Sequence, residues 1–119
     1  MRPAQHLRRQ SDIRAVRRQG TRVDCAAFTL WWTPRAGADP FARACFVASG
    51  QAVGAAVLRN RAKRRMRELF RRNQGLLPPS CDLMMVARPS VNRWPFARLE
   101  RAFAEASDRI RSACGPGSP

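Results

Sequence analysis

The stretch from Val57 to Asn73 limits what this chain can become more than any other. It reads Val-Leu-Arg-Asn-Arg-Ala-Lys-Arg-Arg-Met-Arg-Glu-Leu-Phe-Arg-Arg-Asn. Leu58, Ala62, Met66, Leu69 and Phe70 recur at helical spacing and form one apolar stripe. A basic run without such a stripe belongs to a disordered tail. A run with one belongs to a helix that docks on a core and turns its charge outward. From Arg59 to Arg72 the segment carries eight cations against one carboxylate, Glu68. These repel one another until something anionic neutralises them, so the segment reads as a polyanion-binding helix rather than a solvated face. Gly75 is placed to cap its end, and Arg71 and Arg72 suit the negative pole of the helix dipole. Glu68, one turn after Arg64, is placed to steer that side chain.

The whole chain shares this bias. Its 119 residues make one domain, long enough to bury a core without staples, and carry a formal net charge of +15. Lys63 is the only lysine among 23 cations. Arginine holds phosphate bidentately and stacks on bases, which favours nucleic acid as the polyanion. A membrane surface would need the apolar stripe free to insert, and here the core claims it, so no membrane partner is expected. Cys25, Cys45, Cys81 and Cys114 are far apart in sequence, with no zinc-ligand spacing, and His6 has no evident Cys partner. Idle thiols in a reducing cytoplasm, and no protein-bound metal, are the expectation. No leader-like apolar segment follows Met1-Arg2-Pro3, and no run is long enough to cross a bilayer.

Taken in order, residues 1–9 read as a mobile basic arm. Ser11 caps a short helix that runs to Gln19 and stops at Gly20. Thr21 to Val23 and Ala27 to Trp32 read as strands, the second with Phe28, Leu30 and Trp32 on one face and Ala27, Thr29 and Trp31 on the other. Pro34 to Pro40 reads as a hairpin loop. Arg43 to Ser49 reads as a strand buried on both sides. Gly50 and Gly54 bracket a tight connection into the basic helix. Leu76 to Ser80 is an extended linker, Asp82 to Arg88 a central strand, and Pro95 to about Ser112 an amphipathic helix carrying Leu99, Phe103, Ala106 and Ile110. Trp94 and Phe96 are placed to pack at its start, and a Gly/Pro tail follows. The expected fold is α/β: a small two-layer sandwich, a four-stranded sheet with about three helices in the order α-β-β-β-α-β-α, one face partly open. It is a single RNA-binding domain over residues 1–119, with an ordered core of about 7–112.

The string Arg59-Asn60-Arg61-Ala62-Lys63-Arg64, continued by Arg67-Glu68 and Phe70, resembles the signature of the bacterial ribonuclease P protein subunit. The likeness extends further. Asp12, Val16 and Gly20 match the family's first helix, Phe28-Thr29-Leu30-Trp31 resembles its central strand, and Gly54, Ala56 and Val57 lead into the signature. Asp82 to Arg88 resembles its last strand, so residues 7–110 are covered. The chain departs from the family at Gln51 and Ala52, where a lysine pair is usual, at Ile13 and Arg17, where aromatics are common, and at Trp31, usually tyrosine-like.

The resemblance implies a protein that assists a catalytic RNA in removing the 5′ leader of precursor transfer RNA. It implies that Arg59, Asn60, Arg61, Lys63, Arg64, Arg65 and Arg67 meet the catalytic RNA, with the apolar stripe from Leu58 to Phe70 as anchor. Asn60 has a second candidate role as a helix cap. It also implies a leader cleft formed by Ile13, Arg17, Thr29 and Trp31, with Trp31 as a stacking platform and Arg17 as a phosphate partner or guanidinium plane. Trp31 as plain strand packing is the alternative. The partners implied are the catalytic RNA and precursor transfer RNA, with no obligatory protein partner. A metal-dependent nuclease needs clustered carboxylates, and those here are scattered along the chain. No catalytic residue is therefore expected, and Mg²⁺ belongs at the RNA's active centre. The rivals are a ribosomal or chaperone-like RNA-binding protein, which needs no leader cleft, and a stand-alone nuclease.

Overall fold

Cys81–Ala87 is buried at every position but one, and the sheet assembles around it. In the computed structural model, which describes residues 6–7, 9–34, 42–78 and 80–114, the elements are α1 (Gln10–Gln19), β1 (Thr21–Cys25), β2 (Phe28–Pro34), β3 (Arg43–Val47), α2 (Gly50–Val53), α3 (Ala56–Asn73), β4 (Cys81–Ala87) and α4 (Phe96–Cys114). The strand order is β1-β2-β4-β3. β1, β2 and β4 run antiparallel in turn, while β3 lies parallel to β4. A parallel pair needs a crossover between its strands, and α2 and α3 supply it.

Alternation along the strands sorts the sheet's two faces. Val23, Phe28, Leu30, Trp32, Leu83 and Met85 point toward α3 and α4, where they meet Ala62, Met66, Leu69, Phe70, Leu99, Phe103, Ala106 and Ile110. Phe28 meets Phe103 at 6.4 Å and Phe46 meets Phe70 edge-on at 6.1 Å between ring centroids. Each large side chain buried there contributes about 1.5–3 kcal/mol. Trp31, Cys45, Met84 and Val86 point the other way and pack with Leu7, Ile13 and Val16. Among the described residues, α1 is the helix that lies over that face. The expected two-layer sandwich is thus present.

Several local expectations change. β3 is an edge strand, not one buried on both sides. Its small apolar residues suit a strand whose outer edge is covered: Leu7 N–H donates to Ala44 C=O at 2.9 Å, and His6 bridges to Ala44. The same contact docks residues 6 and 7 of the supposed mobile arm. β2 and β3 are not neighbours, so their connection is no hairpin; residues 35–41 lie outside the described ones. Ala26 and Ala27 form the β1–β2 turn, and Ala27 is buried in the main core rather than on the Trp31 face. Ser11 sits inside α1, whose N-cap is Arg9. Gly20 ends α1 because of space: a Cβ there would lie 2.1 Å from Val16 O and 2.8 Å from Trp32 O. Gly75 is no left-handed cap but part of a 3-10 turn, Gln74–Leu76, that continues α3.

Candidate RNA interface

Ser49 caps the one-turn α2 by accepting a hydrogen bond from Ala52 N–H at 3.1 Å. Gly54 then turns the chain at φ 111°, ψ −143°, a conformation essentially reserved for glycine, and α3 begins. Ala62, Met66, Leu69 and Phe70 on α3 are fully buried. Leu58, expected as a fifth anchor, is 41% exposed and belongs to no core cluster; Val57 beside it is 75% exposed. The first turn of α3 therefore projects past the core. Asn60 lies within the helix and cannot be its cap, which is Ala55. Its side chain is exposed with Arg59, Arg61, Arg64 and Arg67, and Lys63 is half-buried.

Arg65 is different. Its Nε donates to Val91 O at 2.8 Å, and one terminal nitrogen donates to Trp94 O. Its guanidinium lies 5.9 Å from the Phe96 ring. Burial and the neighbouring Arg61 charge both lower its pKa. Arg65 is a strut between α3 and the start of α4, so the expected outward RNA contact needs revising. Glu68 does not steer Arg64 as expected. Its carboxylate accepts from Arg71 at 2.8 and 2.6 Å, which holds it below the usual carboxylate range. Arg67 lies 5.7 Å from the Phe46 ring. His6, Arg64, Arg67, Glu68 and Arg71 line an open hollow of about 500 Å³ on this flank.

The opposite face of the sheet carries the residues expected to form the leader cleft. Val16 buries α1 against the sheet, Ile13 packs partly beneath it, and Arg17 is exposed. The Arg17 guanidinium lies 5.1 Å from the centroid of Trp31, which is half-buried. The β1–β2 register sets Arg22 opposite Trp31 and Asp24 opposite Thr29. Arg22 accordingly comes to 5.7 Å from the same indole. Asp24 Oδ1 accepts from Arg22 Nε at 2.9 Å, Thr29 Oγ1 at 3.2 Å and Arg88 at 3.1 Å. The Arg22 hydrogen bond leads in holding the Asp24 carboxyl below its ordinary range. Ile13, Arg17 and Trp31 thus converge, while Thr29 is nearly buried and forms floor rather than wall. Reading the sequence missed Arg22, Asp24 and Arg88 here; pairing β1 with β2 across Ala26-Ala27 would have placed Arg22 beside Trp31.

Elsewhere Asp12, Asp82, Glu100 and Asp108 also serve ion pairs, whereas Glu105 has none among the described residues. Arg43 bridges Asp82 at 2.8 Å and Asp12 at 3.7 Å, Glu100 meets Arg72 at 3.9 Å, and Asp108 pairs with Arg111. Among the described residues no three His, Cys, Asp or Glu side chains are grouped to hold a metal, and no helix is long and apolar enough to cross a membrane. Cys25 and Cys45 are free thiols, and burial pushes both up to about 11. The cations without an ion pair among the described residues fall mainly on α1 (Arg14, Arg17, Arg18), on α3 (Arg59, Arg61, Lys63, Arg64, Arg67) and around the start of α4 (Arg93, Arg98, Arg101).

This geometry agrees with what the chain is similar to. The family model described as ribonuclease P matches residues 1–111. The chain belongs to the ribonuclease P protein family. The "Ribonuclease P protein component" of Chloroflexus aggregans is 37% identical over 115 residues, covering 96% of this chain and 81% of that protein. The solved ribonuclease P protein of Thermotoga maritima superposes with a TM-score of 0.76 at 25% identity, covering 88% of this chain and 96% of that one. A Staphylococcus aureus ribonuclease P protein mutant shares the fold, with a TM-score of 0.77 at 21% identity over 91% of this chain and 89% of that chain. Membership makes this chain the protein component of a ribonuclease that processes transfer RNA 5′ ends, associated with an RNA subunit and precursor transfer RNA.

Proposed function

We propose that α3 binds the RNA subunit while the α1 groove holds the single-stranded leader of the precursor, and that the RNA subunit carries the chemistry. The observation that carries this reading is the sorting of unpaired cations. Five of them project from a helix whose opposite side is locked into the core, so their charge is presented in fixed directions. Such a surface neutralises phosphates and releases counterions as it binds. The groove supports the second half of the reading. An indole flanked by guanidiniums suits a splayed base and its phosphate, as single-strand recognition requires.

No residue of this chain enters the bond-breaking step. Asp12, Asp24, Glu68, Asp82, Glu100 and Asp108 all lie in ion pairs with arginine, an arrangement unsuited to holding a pair of Mg²⁺ ions. Mg²⁺ belongs at the RNA's active centre in this reading. The protein lowers the Mg²⁺ demand by screening phosphate repulsion and raises precursor affinity through the leader. The decisive experiment is cleavage of precursor transfer RNA by protein alone, RNA alone and both, across Mg²⁺ concentrations. The combination should cleave at lower Mg²⁺ and with lower KM than RNA alone, and the protein alone should be inactive. Cleavage by the protein alone, or no change on adding it, would end the proposal.

A further inference from the structure

Two of the three groups of unpaired cations have a place in this scheme; the group around the start of α4 does not. Arg93, Arg98 and Arg101 are exposed and have no carboxylate partner among the described residues. Trp94, partly exposed, sits among them, and the Arg98 guanidinium lies 3.8 Å from its ring centroid. That is stacking distance, shorter than the 5.1 and 5.7 Å at Trp31. An indole layered with a guanidinium is a two-tier platform that an unstacked base can extend, and arginines on either side supply phosphate partners.

The cluster is also rigidly joined to α3. Arg65 reaches from α3 to Val91 O and Trp94 O, and Asn92 Nδ2 donates to Leu58 O at 3.0 Å. The Phe96 ring, just after Pro95, has the guanidiniums of Arg65 and Arg72 at 5.9 and 5.1 Å from its centroid. Arg61, one turn before Arg65 on the same flank, brings the exposed charge of α3 up to this junction. Trp31, by contrast, packs on the other face of the sheet, while Asp24 lines one hollow with Trp94.

We propose that Arg93, Trp94, Arg98 and Arg101 form a second contact surface for the RNA subunit, continuous with the α3 face and locked to it by Arg65. Trp94 with Arg98 takes an unpaired base, and Arg93 and Arg101 take the phosphates beside it. This inference rests on the assignment of α3 to the RNA subunit.

The test is binding of the full-length protein to the RNA subunit, without precursor, over a range of salt. The variant Arg93→Gln/Arg98→Gln/Arg101→Gln changes only exposed side chains, and a thermal melt by circular dichroism verifies its fold. Its slope of log affinity against log salt should be shallower by about 1.4 to 1.8, at roughly 0.7–0.9 for each of the two phosphates lost, with affinity down about tenfold or more. Trp94→Leu keeps an apolar group against the core and should weaken binding several-fold with the slope unchanged. Wild-type affinity and slope in the triple variant, with Arg61→Gln/Arg64→Gln clearly weakened, would overturn this surface while sparing the α3 assignment. Wild-type binding by both variants would overturn the α3 assignment and this surface with it. Precursor binding to the assembled ribonucleoprotein is measured alongside, and a loss of precursor affinity alone in the triple variant would show that the surface serves precursor instead, and would overturn the partner proposed.

Discussion

α3 is held to the sheet by four fully buried side chains, Ala62, Met66, Leu69 and Phe70, whereas α1 has one, Val16, with Ile13 half-buried beside it. Both helices carry unpaired arginines. On α3 the arginines stand on a foundation shared with α4 and the whole sheet. On α1 they overlook a shallow floor in which Asp24 positions Arg22 and Arg88. The difference matches the two tasks proposed for these helices. A folded RNA presents phosphates at fixed spacing and is best met by a rigid array. A single strand adapts its path, and a lightly anchored helix over an indole suits it.

Removing one buried anchor from each helix should separate the two most clearly. Phe70→Ala should cost about 3–5 kcal/mol of global stability, a large part of the roughly 5–15 kcal/mol a domain has. Val16→Ala should cost about 2 kcal/mol, by the area it leaves unburied. Urea unfolding measures both, and equal losses would show that the two helices are equally anchored. Trp31→Ala should next weaken precursor binding to the assembled ribonucleoprotein by the equivalent of about 1–3 kcal/mol, the usual worth of one base stacked on an aromatic ring. Affinity for the RNA subunit should not move. A parallel loss of both would place Trp31 in the fold rather than in the groove.

Arg65→Gln sharpens the α3 side. It should cost about 1–3 kcal/mol of stability by stranding two carbonyls, measured by thermal melting, while the salt slope for RNA-subunit binding stays as it was. The smallest effect expected is with pH. The folded-state pKa of Asp24 is depressed, so its stabilising contribution is complete above the ordinary value of 3.8 and is lost as pH falls through the lower folded value. Asp24→Asn should therefore show less loss of stability on acidification across that window than the parent protein does. An equal acid loss would mean that the Asp24 network does not tie the groove together.

The α3 side was far more legible in sequence than the groove. A period of three and four residues over five turns announced both the helix and its buried stripe, and its bounds fell within one residue. The same pattern could not tell an outward arginine from a flanking one. Arg65 points inward because α4 lies beside that flank, and only the tertiary arrangement decides it. Leu58 fits the stripe by spacing, yet the core ends before it. In the groove, Ile13, Arg17 and Trp31 came from the family likeness. Arg22 and Asp24 were invisible because Ala26-Ala27 has none of the Gly, Asn or Pro chemistry that marks a turn, so the β1–β2 register could not be set. β3 was misplaced for a related reason: small apolar residues look the same in a central strand and in an edge covered by Leu7.

The salt dependence of RNA-subunit binding by the parent protein and by Arg61→Gln/Arg64→Gln tests most directly whether α3 meets phosphate. The parent should show a steep loss of affinity with salt, and the double variant a slope shallower by about 1.4 to 1.8 with weaker binding at every salt concentration. An identical slope and affinity would show that the exposed arginines of α3 touch no phosphate, and would contradict the account at its centre.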